Sequence, residues 1–540
     1  MRQNITASVI FGAAGGLMSF IFGGWSVAML GVFMGVALGF ILSSRQERKE
    51  PLKLATQALT PAVVFGIVLL ALSLVQNYAI QKAIGQQPAA QSMFLLANLI
   101  GVLGGMLIAV AITALHGLST RQEQTGRLIL LALVVVGFPF ADQYTGLAWT
   151  AQVVFALIFV TLALGLNIVV GYAGLLDLGY AAFFAIGAYT TGLLSSTGSV
   201  IYINTHLIIP FWLVIPIAAV MAAIAGFLLG APTLPLRGDY LAIVTLGFGE
   251  IILVAVRNLT HITVSEPLTC WIIPAVQKLF GATSTVACLV IANQFNLTAG
   301  EKGINPVNRP ILPFIGEFTS QAIIPWYFLI IAIILFTIFF NNRLHGSRLG
   351  RAWMAIREDE LAAAQMGIDP VRTKLLAFAM GATFSGFAGV FYASYISGIF
   401  PEAFDFSTSI LILCCVILGG IGNVYGVLVG GLVLLTADRL FLPALKDFLS
   451  GLLNHTILPA LSFNHALQTA VQQNANPILY RYLLFGLTLV IMMAVRPEGM
   501  LPSTQRRMEL HVEDEAPIEI ESAEEKAASP KTKSTAKAKK

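Results

Sequence analysis

The amino-acid sequence predicts an all-α protein that crosses a membrane many times. Hydrophobic residues make up 57% of its 540 residues and charged residues only 11%, whereas a soluble domain carries roughly 25% charged residues. The apolar residues also form long uninterrupted runs, and a run of about 20 spans the hydrocarbon core as a helix. Since lipid offers no partners to backbone N–H and C=O groups, each span is expected to be helical.

The apolar runs, taken between charged breaks, give the predicted spans in chain order. The first run is too long for one ordinary span, and Gly23-Gly24 could divide it into a hairpin. The predicted spans are 8–42, 61–84, 92–117, 128–141, 147–171, 180–196, 209–230, 240–256, 323–340, 375–397, 408–423, 424–442 and 478–495. We therefore predict about 12 to 14 spans: a core of roughly ten after an N-terminal extension.

The distribution of Lys and Arg predicts which loops lie in the cytoplasm. These residues concentrate at 45–53, 121–127, 237, 343–374 and in the tail from 496. Placing all of these loops on the same side leaves an even number of spans between each pair. The segment 270–292 is fairly apolar, but we do not count it as a span because it would break this parity and contains Lys278.

The predicted orientation places segments 257–322 and 443–477 on the outer side. Cys270 and Cys288 lie in the first of them, in what would be an oxidising compartment. Two interpretations remain open: a disulfide between them, or two unpaired thiols on a half-buried helix.

The chain divides into three regions by composition. Residues 1–120 form the N-terminal transmembrane extension, and 121–502 form the core, with an outer insertion at about 258–322 and a basic cytoplasmic loop at 341–374. Residues 503–540 are rich in acids and then in Lys, Ala, Ser and Thr. This tail cannot bury enough apolar surface to order itself, so we expect it to be disordered.

Several chemical motifs are absent from the sequence. There is no G-x-x-x-x-G-K-[ST] phosphate loop, no H-E-x-x-H motif and no Cys/His cluster with metal-ligand spacing. We therefore expect no ATP binding, cofactor or metal in this chain. A membrane-embedded enzyme is disfavoured because no nucleophile and base occur in a recognisable pattern.

The basic loop contains a segment, 350–366, that predicts one short amphipathic helix. It is rich in helix-forming residues and has no interior breaker. Gly367 is placed to cap its C-terminus, and Pro370 stops any continuation. A face of small residues flanked by charges suits docking into a groove of a partner. The alternative is an ordinary basic loop that only obeys the charge rule.

Two membrane segments, 166–189 and 418–431, are interrupted by glycines at corresponding places in two halves of the core. Such paired interruptions point to a transport site, where a broken helix offers N–H groups to a carboxylate. The alternative is close helix packing through small residues. The candidate pathway residues are Gly171, Tyr172, Gly174, Asp177, Gly179, Tyr180, Glu250, Gly419, Gly420 and Gly422.

Two acids of this set lie at membrane depth, where an ionisable group suggests a function. Asp177 could instead cap a helix at the interface, and Glu250 could be a hydrogen-bonded structural acid. A transporter driven by an ion gradient would need paired intramembrane acids, and only Asp177 and Glu250 are candidates. That alternative stays open at this point.

These motifs together resemble the permease subunits of branched-chain amino acid ABC importers, and in particular the longer, M-type member of the usual pair. The resemblance is carried by 166–189, 237–251, 350–374, 418–431 and the ending 496–502, Arg-Pro-Glu-Gly-Met-Leu-Pro. It covers most of 128–502. It implies import of branched-chain or related amino acids by alternating access, across the bacterial inner membrane with the C-terminus in the cytoplasm.

The resemblance also implies partners. These are a second, shorter permease, two cytoplasmic ATPase subunits that bind the ATP, a periplasmic binding protein, the amino acid and membrane lipid, but no nucleic acid. It implies that the segment 358–367 is the coupling helix that docks on an ATPase. The residues assigned to coupling are Arg351, Arg357, Glu358, Asp359, Glu360, Ala362, Ala363 and Gly367.

The chain departs from the family pattern in its outer segments. The family motif Thr-Gly-Gly-x-x-Gly-Ile is present here as Thr298-Ala-Gly-Glu-Lys-Gly-Ile304, so Ala299 replaces a glycine. An insertion near 262–296 precedes it, and only some members carry an N-terminal extension. We therefore expect the outer surface to meet its binding protein in a different way.

Overall fold

The computed structural model describes residues 149–206, 208–233, 239–260, 296–312, 316–319, 322–443, 480–495 and 499–501, with scattered positions between 129 and 143. The chain forms two compact units. One comprises Met1–Ile158, Ile311–Ala332 and Leu432–Gly486, and the other comprises Phe159–Pro310, Ile333–Gly431 and Leu487–Lys540. The predicted extension 1–120, the tail 503–540, and Cys270 with Cys288 lie outside the described residues.

Helices dominate the described part of the chain. The helices are α1 Trp149–Leu166, α2 Ala181–Ser195, α3 Val200–Thr205, α4 Phe211–Thr233, α5 Asp239–Asn258, α6 Ile323–His345, α7 Arg348–Glu358, α8 Glu360–Gln365, α9 Pro370–Ile396, α10 Phe406–Gly419, α11 Val424–Thr436 and α12 Arg481–Val495. π-Helical turns continue α1 and α11, at Asn167–Tyr172 and Ala437–Phe441, and 3-10 turns lie at Gly300–Lys302 and Pro401–Phe404. Strands β1 Ile311–Leu312 and β2 Gly316–Glu317 form a small antiparallel hairpin, with Ile311 opposite Glu317.

Five of the described helices are long and apolar enough to cross a membrane. They are Trp149–Tyr172, Phe211–Pro232, Tyr240–Asn258, Ile323–His345 and Pro370–Ile396. Shorter apolar helices cover Ala181–Ser195, Phe406–Gly419 and Arg481–Ala494. Each of these helices coincides with a span predicted from the apolar runs, so the prediction of an all-α, multi-pass membrane protein is confirmed.

Helices α2, α4 and α9 form the core of the second unit, with α9 packed along both of the others. Glycines allow the backbones to come close: a Cβ atom added at Gly187 would lie 2.7 Å from the Cα of Gly386. A Cβ added at Gly386 would lie 3.0 Å from the carbonyl oxygen of Ala218. Lipid provides no hydrophobic drive between helices, so such close van der Waals packing is what holds them together.

Charged groups in the first unit cap the start of α1 and form ion pairs between helical segments. The Asp142 carboxylate accepts hydrogen bonds from the backbone N–H groups of Trp149 (3.0 Å) and Thr150 (2.7 Å), at the start of α1. The buried Asp438 forms ion pairs with Arg439 (3.5 Å) and Arg481 (3.4 Å). Pairing of this kind is expected for charges placed in apolar helices.

The prediction of one helix over 350–366 is wrong, because the segment forms two. Asp359 takes an extended backbone conformation (φ −152°, ψ 111°) and separates α7 from α8. Its side chain then accepts hydrogen bonds from the N–H groups of Leu361 (2.8 Å) and Ala362 (3.0 Å). An Asp side chain competes in this way with helix continuation. The predicted cap at Gly367 is present: its φ is +86°, and the next residue, Ile368, donates back to the Ala363 carbonyl.

The outer motif 298–304 is tied to the ends of two long helices. The Thr298 hydroxyl donates to the Val256 carbonyl of α5 (2.6 Å), and Ile304 forms an antiparallel bridge with Ile399 just after α9. Ala299 has a φ of +59°, in the left-handed region. A residue other than glycine is uncommon in this region, so Ala299 places a side chain where the backbone favours glycine.

We expect the Ala299→Gly variant to be more stable, by about 1 kcal/mol, because a left-handed conformation costs an L-residue roughly 1–2 kcal/mol. The measurement is the thermal unfolding midpoint of the purified protein in detergent. The matched control is Gly300→Ala, which should be destabilised, since Gly300 has a φ of +57° and its Cβ would lie 2.7 Å from Thr260 Cγ2. Equal midpoints for the two variants would contradict the assignment of strain to Ala299.

Candidate functional site

The first glycine-interrupted segment is a true break in a membrane helix. After α1, the chain makes the buried π-helical turn Asn167–Tyr172 and then leaves helical structure until Ala181. Gly174, within the break, has a φ of +70°. A π-helical turn inside an α-helical element is often found at functional sites.

The second interrupted segment is also a break. Helix α10 ends at Gly419, and α11 begins only at Val424. Gly420 (φ +115°) and Gly422 (φ +83°) carry the chain through a conformation that other residues rarely adopt. Gly420 and Gly422 are therefore needed for the turn itself, whereas Gly419 is needed for packing, because a Cβ atom there would clash with the Gly426 carbonyl group.

The two breaks contact each other directly. The Asn167 side-chain oxygen accepts a hydrogen bond from the Gly422 N–H (2.9 Å), across 255 residues of sequence. A Cβ atom added at Gly171 would lie 2.8 Å from the Gly422 nitrogen. The structure thus brings together the two segments that the sequence paired. The sequence interpretation missed Asn167, although an amide side chain within an apolar run was a signal.

The described residues of the C-terminal motif 496–502 form hydrogen bonds with the second break. Met500 and Leu501 donate backbone hydrogen bonds to the carbonyls of Leu418 (2.9 Å) and Gly419 (3.1 Å). The Asn423 amide donates in return to the Leu501 carbonyl (2.9 Å). These bonds satisfy carbonyl groups at the end of α10 that have no partner within the helix.

Three N–H groups at the end of the first break are already engaged within the chain. Gly179 donates to the Asp177 carboxylate (2.9 Å), and Leu178 donates to the Thr245 hydroxyl of α5 (3.0 Å). Ala181, at the start of α2, donates to the Ser409 hydroxyl (3.0 Å). A broken helix is expected to offer free N–H groups to a solute carboxylate, but in this conformation these three are not free.

Asp177 is almost fully buried, with 1% of its surface exposed. Its Oδ1 atom accepts a hydrogen bond from the N–H group of Gly179, two residues ahead. The N-cap of α2 is Tyr180, so Asp177 is not a helix cap. Its Oδ2 atom is buried and has no hydrogen-bond partner among the described residues. The Tyr180 hydroxyl donates to the Gly381 carbonyl of α9 (2.8 Å), which fixes the other side of the break. A pathway role for Asp177 and Tyr180 stays a prediction.

The cytoplasmic loop lies directly against the first break. The Arg357 guanidinium of α7 donates to the Gly171 carbonyl (2.8 Å), at the end of the π-helical turn. A Cβ atom at Gly174 would lie 2.8 Å from Arg357 Cγ, so the glycine makes room for the arginine. The rings of Tyr172 and His345 also meet, with centroids 5.1 Å apart. Arg357 was predicted to couple to an ATPase, but this contact is made inside the chain.

Two further contacts hold α7 and α8 against the start of α9. The Trp353 indole is fully buried and donates to the Thr373 carbonyl (2.7 Å). The Lys374 ammonium forms an ion pair with Glu360 (2.7 Å), in which the lysine is the more buried partner. Glu360 is therefore engaged within the chain as well, and Ala363 is buried with 4% exposure.

The outward face of the loop consists of different residues. Leu361 is 63% exposed and Met366 is 83% exposed, although both are apolar. Of the predicted coupling residues, the exposed ones are Arg351, Glu358, Asp359, Ala362 and Gly367. Nothing lies within 4 Å of a Cβ placed at Gly367. Sequence reasoning missed Leu361 and Met366, because apolar residues in a short helix suggest burial.

Glu250 lies on the exposed side of α5. The structure therefore does not bring it to the contact between the two breaks. Among the described residues, no group of three or more His, Cys, Asp or Glu residues could hold a metal ion.

Comparison with known proteins gives consistent matches. Residues 149–493 match the family model described as "Branched-chain amino acid transport system / permease component". The chain is 37% identical to the high-affinity branched-chain amino acid transport system permease protein LivM of Escherichia coli K12, over 74% of this chain and 79% of that protein. It is 24% identical to the probable LivM of Methanocaldococcus jannaschii, over 64% and 90% of the two chains.

A shorter permease is similar over a smaller region. The permease protein LivH of Escherichia coli K12 is 32% identical over 127 residues, which is 24% of this chain and 40% of that protein. No solved structure gives a significant match.

We expect Asn167→Ala to lower stability by about 1–3 kcal/mol, because it removes the acceptor of the Gly422 N–H and leaves that donor unsatisfied. The measurement is thermal unfolding of the purified protein in detergent. The control is Asn258→Ala, whose exposed amide donates only within its own helix, to Val254 (2.8 Å). The control should stay within about 0.5 kcal/mol of the wild type. If the two variants unfold alike, the bond between the breaks is not a stabilising contact.

Proposed function

Because this chain belongs to the family of branched-chain amino acid transport permeases, we propose that it is the transmembrane subunit of an ABC importer for branched-chain or closely related amino acids. It is a multi-pass membrane protein. The solute would pass from the periplasm to the cytoplasm. The relatives support this function and give no support to a transporter driven by an ion gradient.

The contact between Arg357 and Gly171 carries the mechanistic part of the proposal. An ATP-driven importer needs a path by which movement outside the membrane reaches helices inside it. Arg357 belongs to the cytoplasmic loop, yet it donates directly to a backbone carbonyl of the helix break. The break is the part of the bundle best able to change shape, since it lacks the regular hydrogen bonds of a helix. A push on α7 and α8 would therefore act on the break through this side chain.

Exposed apolar residues in α8 and directly after it support the docking of an ATPase subunit. Leu361 and Met366 are exposed apolar side chains on a loop between two membrane helices. Exposed apolar groups rimmed by polar ones are typical of protein–protein contact sites. Glu358 and Asp359 supply the polar rim. We infer that two cytoplasmic ATPase subunits bind and hydrolyse the ATP, that one of them docks on this face, and that the chain itself has no ATPase activity.

The remaining partners follow from the same assignment. Both a longer and a shorter permease are similar to this chain, and together they imply a permease pair. We propose that this chain is the longer member, in the bacterial inner membrane with its C-terminus in the cytoplasm, and that a periplasmic binding protein delivers the amino acid. The boundaries of the extension, core and tail stay predictions.

We expect Leu361→Asp and Met366→Asp to abolish ATPase binding, because each places a charge in an apolar contact. The measurement is the amount of ATPase subunit that co-purifies with the tagged permease. The matched control is Ile203→Asp in α3, which changes an equally exposed apolar residue (62%) on the predicted outer side. The control should retain the ATPase. Full co-purification with the α8 variants would refute this docking face.

We expect Arg357→Ala to keep the ATPase bound but to lower leucine uptake per ATP hydrolysed by about tenfold, within the usual range of coupling free energies. The measurement is simultaneous uptake and hydrolysis in vesicles that contain the whole transporter. The control is Arg343→Ala, an exposed arginine at the end of α6, which should transport normally. An unchanged ratio in Arg357→Ala would show that the contact does not transmit movement. Uptake without the ATPase would refute the proposed function itself.

A further inference from the structure

One face of α5 carries exposed apolar residues between Ile243 and Val254, with a charged residue among them. Ile243, Val244, Glu250, Ile251 and Val254 are all exposed. Their spacing of three, four and seven residues places them on one side of the helix. Gly247 lies in the same stripe, and a Cβ added there would meet nothing within 4 Å.

The position of Glu250 along the helix places it near the middle of the membrane. Helix α5 begins at Asp239 and has 20 residues. At 1.5 Å per residue, Glu250 lies about 16 Å from the start of the helix, and the hydrocarbon core is about 30 Å thick. Apolar residues of the stripe lie on both sides of it, so its carboxylate has no short route to water.

A carboxylate at this depth is not compatible with a lipid-facing surface, because charge at the centre of the bilayer is strongly disfavoured. No hydrogen bond or ion pair joins Glu250 to another residue in the described part of the chain. The exposed faces of other spans differ: α4 presents Val220, Met221 and Ile224, and α6 presents Leu335 and Phe339. Those faces suit lipid, and the α5 face does not.

The opposite side of α5 packs on the first helix break. Thr245 accepts the hydrogen bond of Leu178, and a Cβ atom added at Gly249 would lie 3.1 Å from the Cα of Gly179. Helix α5 therefore has the break on one side and the charged stripe on the other. A change in the break would be transmitted to the position of Glu250.

We propose that this face of α5 packs against the second permease subunit, and that Glu250 lies in the translocation path between the two subunits, where its carboxylate binds the ammonium group of the amino acid. The inference rests on the proposed function, which supplies both a permease pair and a substrate with an ammonium group. The carboxylate is complementary to that cation, and Gly247 leaves space on the face for a neighbouring helix to approach closely. Carboxylate and ammonium form a charge-assisted hydrogen bond, which is stronger than a neutral one.

Photo-crosslinking tests the packing. A photoreactive phenylalanine analogue is placed at Ile243 or Ile251 of α5 and, as the matched control, at Val220 or Ile224 of α4, in the whole transporter in its own membrane. We expect adducts with the second permease from the α5 positions and none from the α4 positions. Adducts from α5 to lipid only, or to the N-terminal extension 1–120 of the same chain, would overturn the proposal, as would equal adducts from α4.

Leucine uptake tests the ammonium site. The rate is measured in vesicles with a saturating amount of loaded binding protein and with the ATPase present. We expect Glu250→Gln to lower the maximal rate by about tenfold and Glu250→Asp to recover part of it, while the permease pair stays assembled. The control is Glu317→Gln, an exposed acid in β2, which should transport at the normal rate.

Two results would overturn the role of Glu250. Normal uptake by Glu250→Gln shows that the carboxylate does not contact the substrate. Dissociation of the permease pair by Glu250→Gln shows that the carboxylate pairs with a cation of the other subunit instead. Both results leave the proposed function intact, because that depends on whether the wild-type transporter needs its ATPase.

Discussion

Backbone groups freed inside a membrane must find partners within the protein, and this constraint shapes the described structure. Two helices are broken, after Tyr172 and after Gly419. Several of their freed groups are satisfied by Asn167, by hydroxyls of other helices, by the C-terminal segment 499–501 and by Arg357. In water such groups would bond to solvent, but in lipid each would cost several kcal/mol. The breaks can therefore exist only where several distant elements meet.

Because the breaks depend on contacts with distant elements, they differ from regular helices. A regular helix satisfies its own backbone and transmits little from its surroundings. Under the proposed function, a break held by side chains from elsewhere would respond when one of them moves. The loop made of α7 and α8 has an inner side that contacts the helix bundle and an outer side that is exposed. Its inner side carries Trp353, Arg357 and the Glu360–Lys374 ion pair, which bind it to the bundle. Its outer side carries Leu361 and Met366, which are exposed.

Helix α5 shows the same division between an inner and an outer side. Thr245 supports the first break, whereas Glu250 faces away from it. The exposed sides of α4 and α6 are apolar, as expected for contact with lipid. A charge in the middle of an otherwise apolar face indicates a protein partner or a polar path instead. Polarity, rather than exposure alone, therefore distinguishes the faces of a membrane protein that meet other molecules.

The sequence alone determined the class of fold, the apolar helices of the described residues and the places where two of them break. It could do so because the membrane requires each span to be apolar and to satisfy its own backbone, and both are local properties. Glycines at 420 and 422 and the cap at Gly367 were likewise readable from local conformation. Only the tertiary structure decided that Asn167 binds Gly422, that Arg357 and Ala363 face inward, and that Asp359 divides the segment 350–366 into two helices. The first two findings depend on contacts between residues far apart in the chain. The third depends on a side chain that competes with the helix backbone. Local periodicity encodes neither kind of interaction.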